Sequence, residues 1–226
     1  MTGIGQVAAV LPERQRVERE RPFWQALAAA HGWARVVDAG CGGGFHRRLL
    51  TALGVEVVAF DRALAPLVQQ RPGPLLAADL TAPPLRAASF DAAFCLGNTL
   101  SLLPDRSMQR RALAALGELL KPGGTLVLQA EDASITVEAG AKVRTRALPD
   151  GRIHVRAYER HGNRIHMLVG IVAPGDDAPL ETVRLLPTSA SQIATLARSL
   201  GLAPVPLRPP ATGAVGTWWL ALRAGA

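Results

Sequence analysis

The chain has 226 residues, 49% of them hydrophobic, and carries 25 Lys and Arg against 18 Asp and Glu for a net charge of +7. That length suits one α/β core with an appendage, no apolar run reaches the roughly 18 residues of a membrane span, and Cys41 and Cys95 make no metal or redox spacing. The basic side chains are 23 Arg and only 2 Lys on an alanine-rich background, so compositional bias weakens the charge as a sign of nucleic-acid binding.

Met1 to Val10 is expected to be mobile and lacks the pattern of a secretory signal, which predicts a cytoplasmic protein. Pro12 to Arg21 is densely charged, and Pro22 is expected to separate it from a helix over about Phe23 to Ala30. Residues 1–31 therefore read as an N-terminal helical segment ahead of a domain spanning 32–226. Val36-Val37-Asp38-Ala39 then suits a buried strand, and Gly40-Cys41-Gly42-Gly43-Gly44 a tight loop whose backbone can approach a ligand. A helix beginning near Phe45 would turn its free N–H groups toward that ligand. The strand Val55 to Asp61 would lie parallel beside the first, with Asp61 able to accept from both hydroxyls of a ribose or to cap the helix from Ala63. The loop reads as a nucleotide-cofactor site, but the nicotinamide pattern G-x-G-x-x-G/A fails because Phe45 stands at its last small position.

Three further motifs follow in order: Leu76-Ala77-Ala78-Asp79-Leu80, Ser89-Phe90-Asp91-Ala92-Ala93-Phe94-Cys95-Leu96, and Leu119-Leu120-Lys121-Pro122-Gly123-Gly124-Thr125-Leu126-Val127-Leu128. Together with Asp38-x-Gly40-x-Gly42-x-Gly44 they resemble the motifs of the class I S-adenosylmethionine-dependent methyltransferases over roughly residues 33 to 130. That resemblance implies a Rossmann-like, doubly wound, seven-stranded α/β sheet with an antiparallel last strand. It implies S-adenosyl-L-methionine as cofactor, held by Asp38, Gly40, Cys41, Gly42, Asp61, Arg62, Asp79, Leu80, Leu96 and Gly97, and no metal. Asp79 would approach the adenine amino group, or else cap its own turn. His46 would contact the cofactor carboxylate, or else serve packing.

The loop Cys95-Leu96-Gly97-Asn98-Thr99 is similar to that of the glycine and sarcosine N-methyltransferase branch, in which the Asn positions a small substrate. Asn98 is accordingly the expected catalytic and substrate-orienting residue, with capping of its own turn as the rival. Gln129-Ala130-Glu131-Asp132-Ala133 departs from the aromatic segment and Arg clamp of that branch, which argues against glycine itself as acceptor. The absence of an N/D-P-P-Y/F signature argues against base-amino and glutamine methylation.

A helix over about Asp105 to Leu120 precedes the Lys121-Pro122-Gly123-Gly124 turn. Between Ala141 and His166 lie seven Lys or Arg against two acids. Strands over Lys142–Arg146, Arg152–Arg160 and Arg164–Val172, separated by Pro149-Asp150-Gly151 and His161-Gly162-Asn163, form an antiparallel meander within an inserted subdomain of about 141–187. A fourth strand around Thr182 to Leu186 follows the turn Pro174-Gly175-Asp176-Asp177. Alternation predicts one apolar face, with Val143, Val155, Ile165, Met167 and Val169, and one basic face. The latter would carry Lys142, Arg144, Arg146, Arg152, His154, Arg156, Tyr158, Arg160, Arg164 and His166. His154 and His166 would pair there as a general base or stand solvated. A helix over about Ser189 to Leu200 and strands near Leu202–Leu207 and Thr217–Leu222 close the chain.

The favoured reading is methyl transfer to a small anionic metabolite, bound in part by Arg156 and Arg164. The alternatives are a nucleic-acid methyltransferase that grips phosphate through the meander, and a non-catalytic cofactor-binding assembly protein. No membrane partner is expected, and a homodimer through the meander is a further candidate.

Overall fold

Each central strand is apolar on both faces, because each feeds two cores. In the computed structural model, which describes residues 13–68, 73–140, 143–173, 175, 179–210 and 216–225, β1 (Arg35–Ala39), β2 (Glu56–Asp61), β3 (Leu75–Ala77), β4 (Phe90–Cys95) and β5 (Leu120–Glu131) run parallel. Two later strands, β10 (Ala203–Val205) and β11 (Thr217–Arg223), complete a sheet of order β10-β11-β5-β4-β1-β2-β3, in which β11 is antiparallel to both neighbours. This is the Rossmann-like doubly wound sheet expected. Val37, Val58, Ala93, Leu126 and Leu128 pack on one side under Leu113 and Leu116 of α4 (Arg106–Leu119) and Ile193 and Ala197 of α6 (Ala190–Arg198). Val36, Val57, Ala92, Phe94 and Val127 pack on the other, against Trp24, Trp33, Leu49 and Leu50. Met1 to Val10, Lys142 and the turn residues Pro174, Asp176 and Asp177 lie outside the described residues.

Pro22 does not separate two segments: it lies inside one helix, α1 (Glu13–His31). A proline there forfeits one backbone hydrogen bond, and side-chain contacts hold the helix across the gap. Glu20, only 4% exposed, accepts from Arg16 at 2.8 Å and Trp24 Nε1 at 3.4 Å, and meets His46 Nε2 at 3.2 Å. Arg16 also covers the Phe45 ring at 3.7 Å, which clamps α1 to the first turn of α2 (Phe45–Thr51).

The Lys121-Pro122-Gly123-Gly124 motif is an excursion of the strand itself. Phe90 pairs with Leu120 and Ala92 with Thr125, so residues 121–124 loop out. Asp91 holds the excursion, taking Lys121 Nζ at 2.6 Å on one oxygen and the backbone N–H groups of Ala34 and Arg35 at 2.9 and 2.7 Å on the other.

The inserted sheet is antiparallel, with β6 (Val143–Ala147), β7 (Ile153–His161), β8 (Arg164–Val172) and β9 (Glu181–Leu185) in sequence order. It follows the short helix α5 (Ala133–Glu138). The predicted division into apolar and basic faces holds for β8, whose Ile165, Met167 and Val169 are buried, and fails for β6 and β7. His161 pairs with Arg164, so the loop is the two residues Gly162-Asn163 rather than three, and even positions of β7 share a face with odd positions of β8. A one-residue difference in a hairpin loop moves every side chain of the strand to the opposite face. The face turned to the body therefore carries Arg144, Arg146, His154, Arg156 and Tyr158 together with the buried Ile165, Met167, Val169, Val183 and Leu185. The other face carries Val143, 63% exposed, with Thr145, Val155, Arg164, His166 and Arg184. His154 and His166 consequently point to opposite sides.

Burial alone would raise the Glu20 carboxyl, but the hydrogen bonds and charges of His46 and Arg16 outweigh it and hold the group at about 2, below its usual value. A depressed carboxylate stabilises the fold above its unfolded pKa and loses that contribution as pH falls through the folded value. Urea unfolding of Glu20→Gln should therefore show a loss of roughly 1–3 kcal/mol at neutral pH. It should also show a flatter stability profile than the parent between about pH 4.5 and 2.

Candidate active site

In an open parallel sheet the ligand crevice opens where neighbouring connections depart in opposite directions, here between β1 and β4. The glycine loop leaves β1 at this point, with Gly40, Gly42 and Gly44 at φ of 71°, 49° and 73°. Gly40 serves close approach, since a Cβ there would run into Thr99 of the loop after β4. Gly42 and Gly97 instead face open space where a Cβ would stand. Asp61 ties the loop to β2: Oδ2 accepts the Gly42 N–H and Oδ1 the Ala63 N–H, both at 2.8 Å. The capping bond is thus present, yet a carboxylate has about four acceptor positions, which leaves capacity toward the crevice.

Asp38 lies beneath the loop, 2% exposed, and accepts from the Arg47 backbone while its Oδ2 has no hydrogen-bond partner among the described residues. Burial pushes its carboxyl up, against the charge of His46. His46 is engaged with Glu20 and Arg16 of α1 (both 3.2 Å) and thus serves the clamp. Asp79, exposed two residues beyond β3, accepts the backbone and hydroxyl of Thr81 at 2.8 and 2.6 Å, so it caps its own turn. Those hydrogen bonds, with the nearby charge of Arg62, lower its pKa. Arg62 is exposed, Leu80 and Leu96 are buried, and Cys41 is half-buried in the loop. Cys95 is enclosed in the core, where burial pushes its thiol well up.

Asn98 caps the 3-10 turn over Thr99–Leu102 at φ 74°, a left-handed conformation that Asn tolerates better than most residues. Its Oδ1 accepts the Glu131 N–H at 2.6 Å, which joins the ends of β4 and β5 and leaves the amide NH₂ as its remaining polar end. Gly97 N–H donates to Gln129 Oε1 at 2.8 Å across the same two strands.

Sequence reasoning passed over Glu131, which closes the crevice toward the meander. Glu131 is 5% exposed and accepts from Thr136 Oγ1 at 2.6 Å, Arg144 at 3.0 Å and the Tyr158 hydroxyl at 3.3 Å. Tyr158, predicted on a basic surface, is 1% exposed, with Arg144 over its ring at 5.5 Å. Burial and then the Glu131 charge raise its pKa. An acid at the carboxyl end of a buried strand, followed by a segment rich in Arg, was the available signal. Of the two predicted substrate-binding arginines, Arg156 faces the body beside Tyr158, whereas Arg164 stands on the opposite strand face at the hairpin end and reaches Leu103 O at 3.4 Å. The structure does not bring them together. A cavity of about 550 Å³ between α1 and residues 206–210 is lined by none of these groups.

Residues 37–128 match the family model described as a methyltransferase domain, a span that contains all four motifs. The chain is 35% identical over 140 residues to the ubiquinone biosynthesis O-methyltransferase of Xanthomonas campestris, covering 55% of this chain and 56% of that one. It is 28% identical over 137 residues to the glycine N-methyltransferase of Oryctolagus cuniculus, covering 51% and 46%. The chain thus spans about half the length of these curated relatives. Among solved structures, the S-adenosylmethionine-bound amino pentose methyltransferase CalS10 of Micromonospora echinaspora superposes with a TM-score of 0.71 over 94% of this chain and 92% of that one, at 23% identity.

The Asn98 geometry can be tested on stability alone. Asn98→Ala loses one half-buried hydrogen bond and left-handed tolerance, for a cost of roughly 1–3 kcal/mol in urea unfolding. Asn98→Gly keeps the backbone freedom and should cost measurably less.

Proposed function

We propose that this chain, whose residues 37–128 match a methyltransferase domain, is a class I enzyme that transfers the methyl group of S-adenosyl-L-methionine to a small, anionic molecule. The observation that carries this reading is the Asp61 carboxylate held against the Gly42 N–H in a loop with open space above it, beside Gly97 and Asn98. The residues present fit the cofactor. Asp61 has acceptor capacity left for ribose hydroxyls, Leu80 and Leu96 offer apolar walls, and Asp38 leaves one unpartnered oxygen beneath the loop. Asp79, exposed beside Arg62, is the group we assign to the adenine side, with Cys41 and Gly40 lining the turn.

When bound, the cofactor supplies a methyl on a sulfonium, open to in-line attack. The chain's task is then to hold the acceptor behind that methyl and keep water out. Asn98 suits the first role, because the Glu131 N–H occupies its carbonyl end and leaves its NH₂ for a ligand. The enclosed cluster of Glu131, Tyr158 and Thr136 suits the second. Small acceptors also stand in the names of the glycine and amino pentose enzymes. A nucleic-acid acceptor loses its main support, since Arg144, Arg146 and Arg156 face the body rather than forming a continuous basic surface with Arg164.

Calorimetry should detect S-adenosylhomocysteine binding, weakened in Asp61→Ala by about 1.5–3 kcal/mol, as for hydrogen bonds to a charged group; unchanged affinity would remove Asp61 from the site. Tritium from labelled cofactor should pass to a metabolite fraction and not to RNA. Asn98→Asp keeps the acceptor for the Glu131 N–H but removes the NH₂. It should lower turnover while S-adenosylhomocysteine affinity stays within about threefold.

A further inference from the structure

The turned face of the meander leaves one charge problem open. Arg144, Arg156, Val169 and Glu181 stand in one register row across four strands, all on the body side. The Arg144 charge is met by Glu131 at 3.0 Å. Arg156 is in no ion pair among the described residues, its Nε is buried without a hydrogen-bond partner, and its side chain reaches only toward the Tyr158 hydroxyl. Two residues earlier on the same face, His154 is 9% exposed and its Nε2 is likewise buried without a partner. Its register neighbour is Arg146, a third cation, for which no ion pair occurs among the described residues. Glu181 lies two strands from Arg156, across Val169, and its own Oε2 is unpartnered, so the two do not neutralise each other.

A guanidinium cannot shed its proton, and a buried donor without a partner forfeits the hydrogen bond it would make in water. Two such groups, Arg156 Nε and His154 Nε2, stand two residues apart on one face, with the Arg146 charge beside them. That arrangement suits a site completed by an anion, since the planar fork of Arg matches a carboxylate or a phosphate.

We propose that Arg156, with His154 and Arg146 beside it, forms a subsite for the carboxylate or phosphate group of the methyl acceptor. The identification of the bound molecule as the acceptor rests on the methyl-transfer reading; the anion subsite itself does not. The subsite connects to the crevice by a short chain of contacts: Arg156 to the Tyr158 hydroxyl, that hydroxyl to Glu131 Oε2 at 3.3 Å, and the Glu131 N–H to Asn98 Oδ1 at 2.6 Å. An anionic group on Arg156 would thereby leave the other end of a small molecule at Asn98. His154 contributes as a neutral ring, because burial and the charges of Arg156 and Arg146 hold its pKa down at about 4. It can donate one hydrogen bond there without adding a further positive charge.

The test is calorimetric titration of inorganic phosphate and of succinate, with and without S-adenosylhomocysteine, into the parent chain, Arg156→Met, Arg156→Lys and Arg160→Met. Arg160, exposed and paired with Glu138 at 3.2 Å, is the control. At least one probe should bind the parent, with affinity reduced tenfold or more in Arg156→Met, reduced less in Arg156→Lys, and unchanged in Arg160→Met. Whichever probe binds more tightly distinguishes a phosphate from a carboxylate group. Should Arg156→Met fail to fold, the loss in Arg156→Lys carries the comparison. Failure of both probes to bind the parent, or equal binding by the Arg156 variants, overturns the subsite. Failure of S-adenosylhomocysteine to bind the parent would instead overturn the methyl-transfer reading, with the Arg156 comparison still standing on its own.

Discussion

Three parallel strands, β2, β1 and β4, discharge their loops along one edge of the sheet, and the loops on either side of β1 must diverge. Everything at the candidate site follows from that divergence. The glycine loop fills the opening, Asp61 reaches back from β2 to fix it, and the Thr99 loop presses against Gly40 from β4. The opening can remain free of side chains because buried apolar contacts on both faces hold the strand ends in register. Phe94 and Val127 pack with one core and Leu128 and Cys95 with the other. Rigid elements thus bear the loops that would touch ligand, the arrangement on which precise positioning depends.

Much of this was legible because it rests on local chemistry. Gly40-x-Gly42-x-Gly44 could only be a tight loop, Asp61 could only stand at a strand end, and Asp105 and Ser189 cap the helices that begin after them. The misreadings share a different cause. Pro22 lowers helix propensity locally, and only the distant partner His46, with the buried Trp24, shows why α1 continues through it. The meander strands were legible from their alternation, but which positions of β6 and β7 share the inward face of β8 depended on the hairpin loop having two residues. Glu131 reads from the sequence as an ordinary acid after a strand. Its role as a junction arises from Thr136, Arg144 and Tyr158, which lie 5, 13 and 27 residues further along the chain.

The electrostatic organisation follows one pattern in two places. Glu20 on α1 and Glu131 on β5 are the two most enclosed glutamates among the described residues, and each sits amid arginine, a ring and a hydrogen-bond donor. Isolated buried carboxylates would cost several kcal/mol. Here each one joins an added element to the parallel sheet: the first fastens the helix that precedes it, the second the meander that follows it. The surface ion pairs, such as Arg14 with Glu18 at 3.3 Å, contribute little by comparison.

The two-residue hairpin Gly162-Asn163 has a consequence for how this protein could diversify. Inserting or deleting one residue there would leave β6 and β7 in place and rotate β8 and β9 by half a turn about their axes. Ile165, Met167 and Val169 would exchange places with His166, Leu168 and Gly170. A single codon gained or lost could thus recast the body-facing side of the meander while every residue kept its identity. Most substitutions alter such a face one side chain at a time, whereas this hinge in the reading of the strand would alter it wholesale. The same property makes the hairpin an economical place to build a library of altered meander faces, and a poor place to fuse a tag.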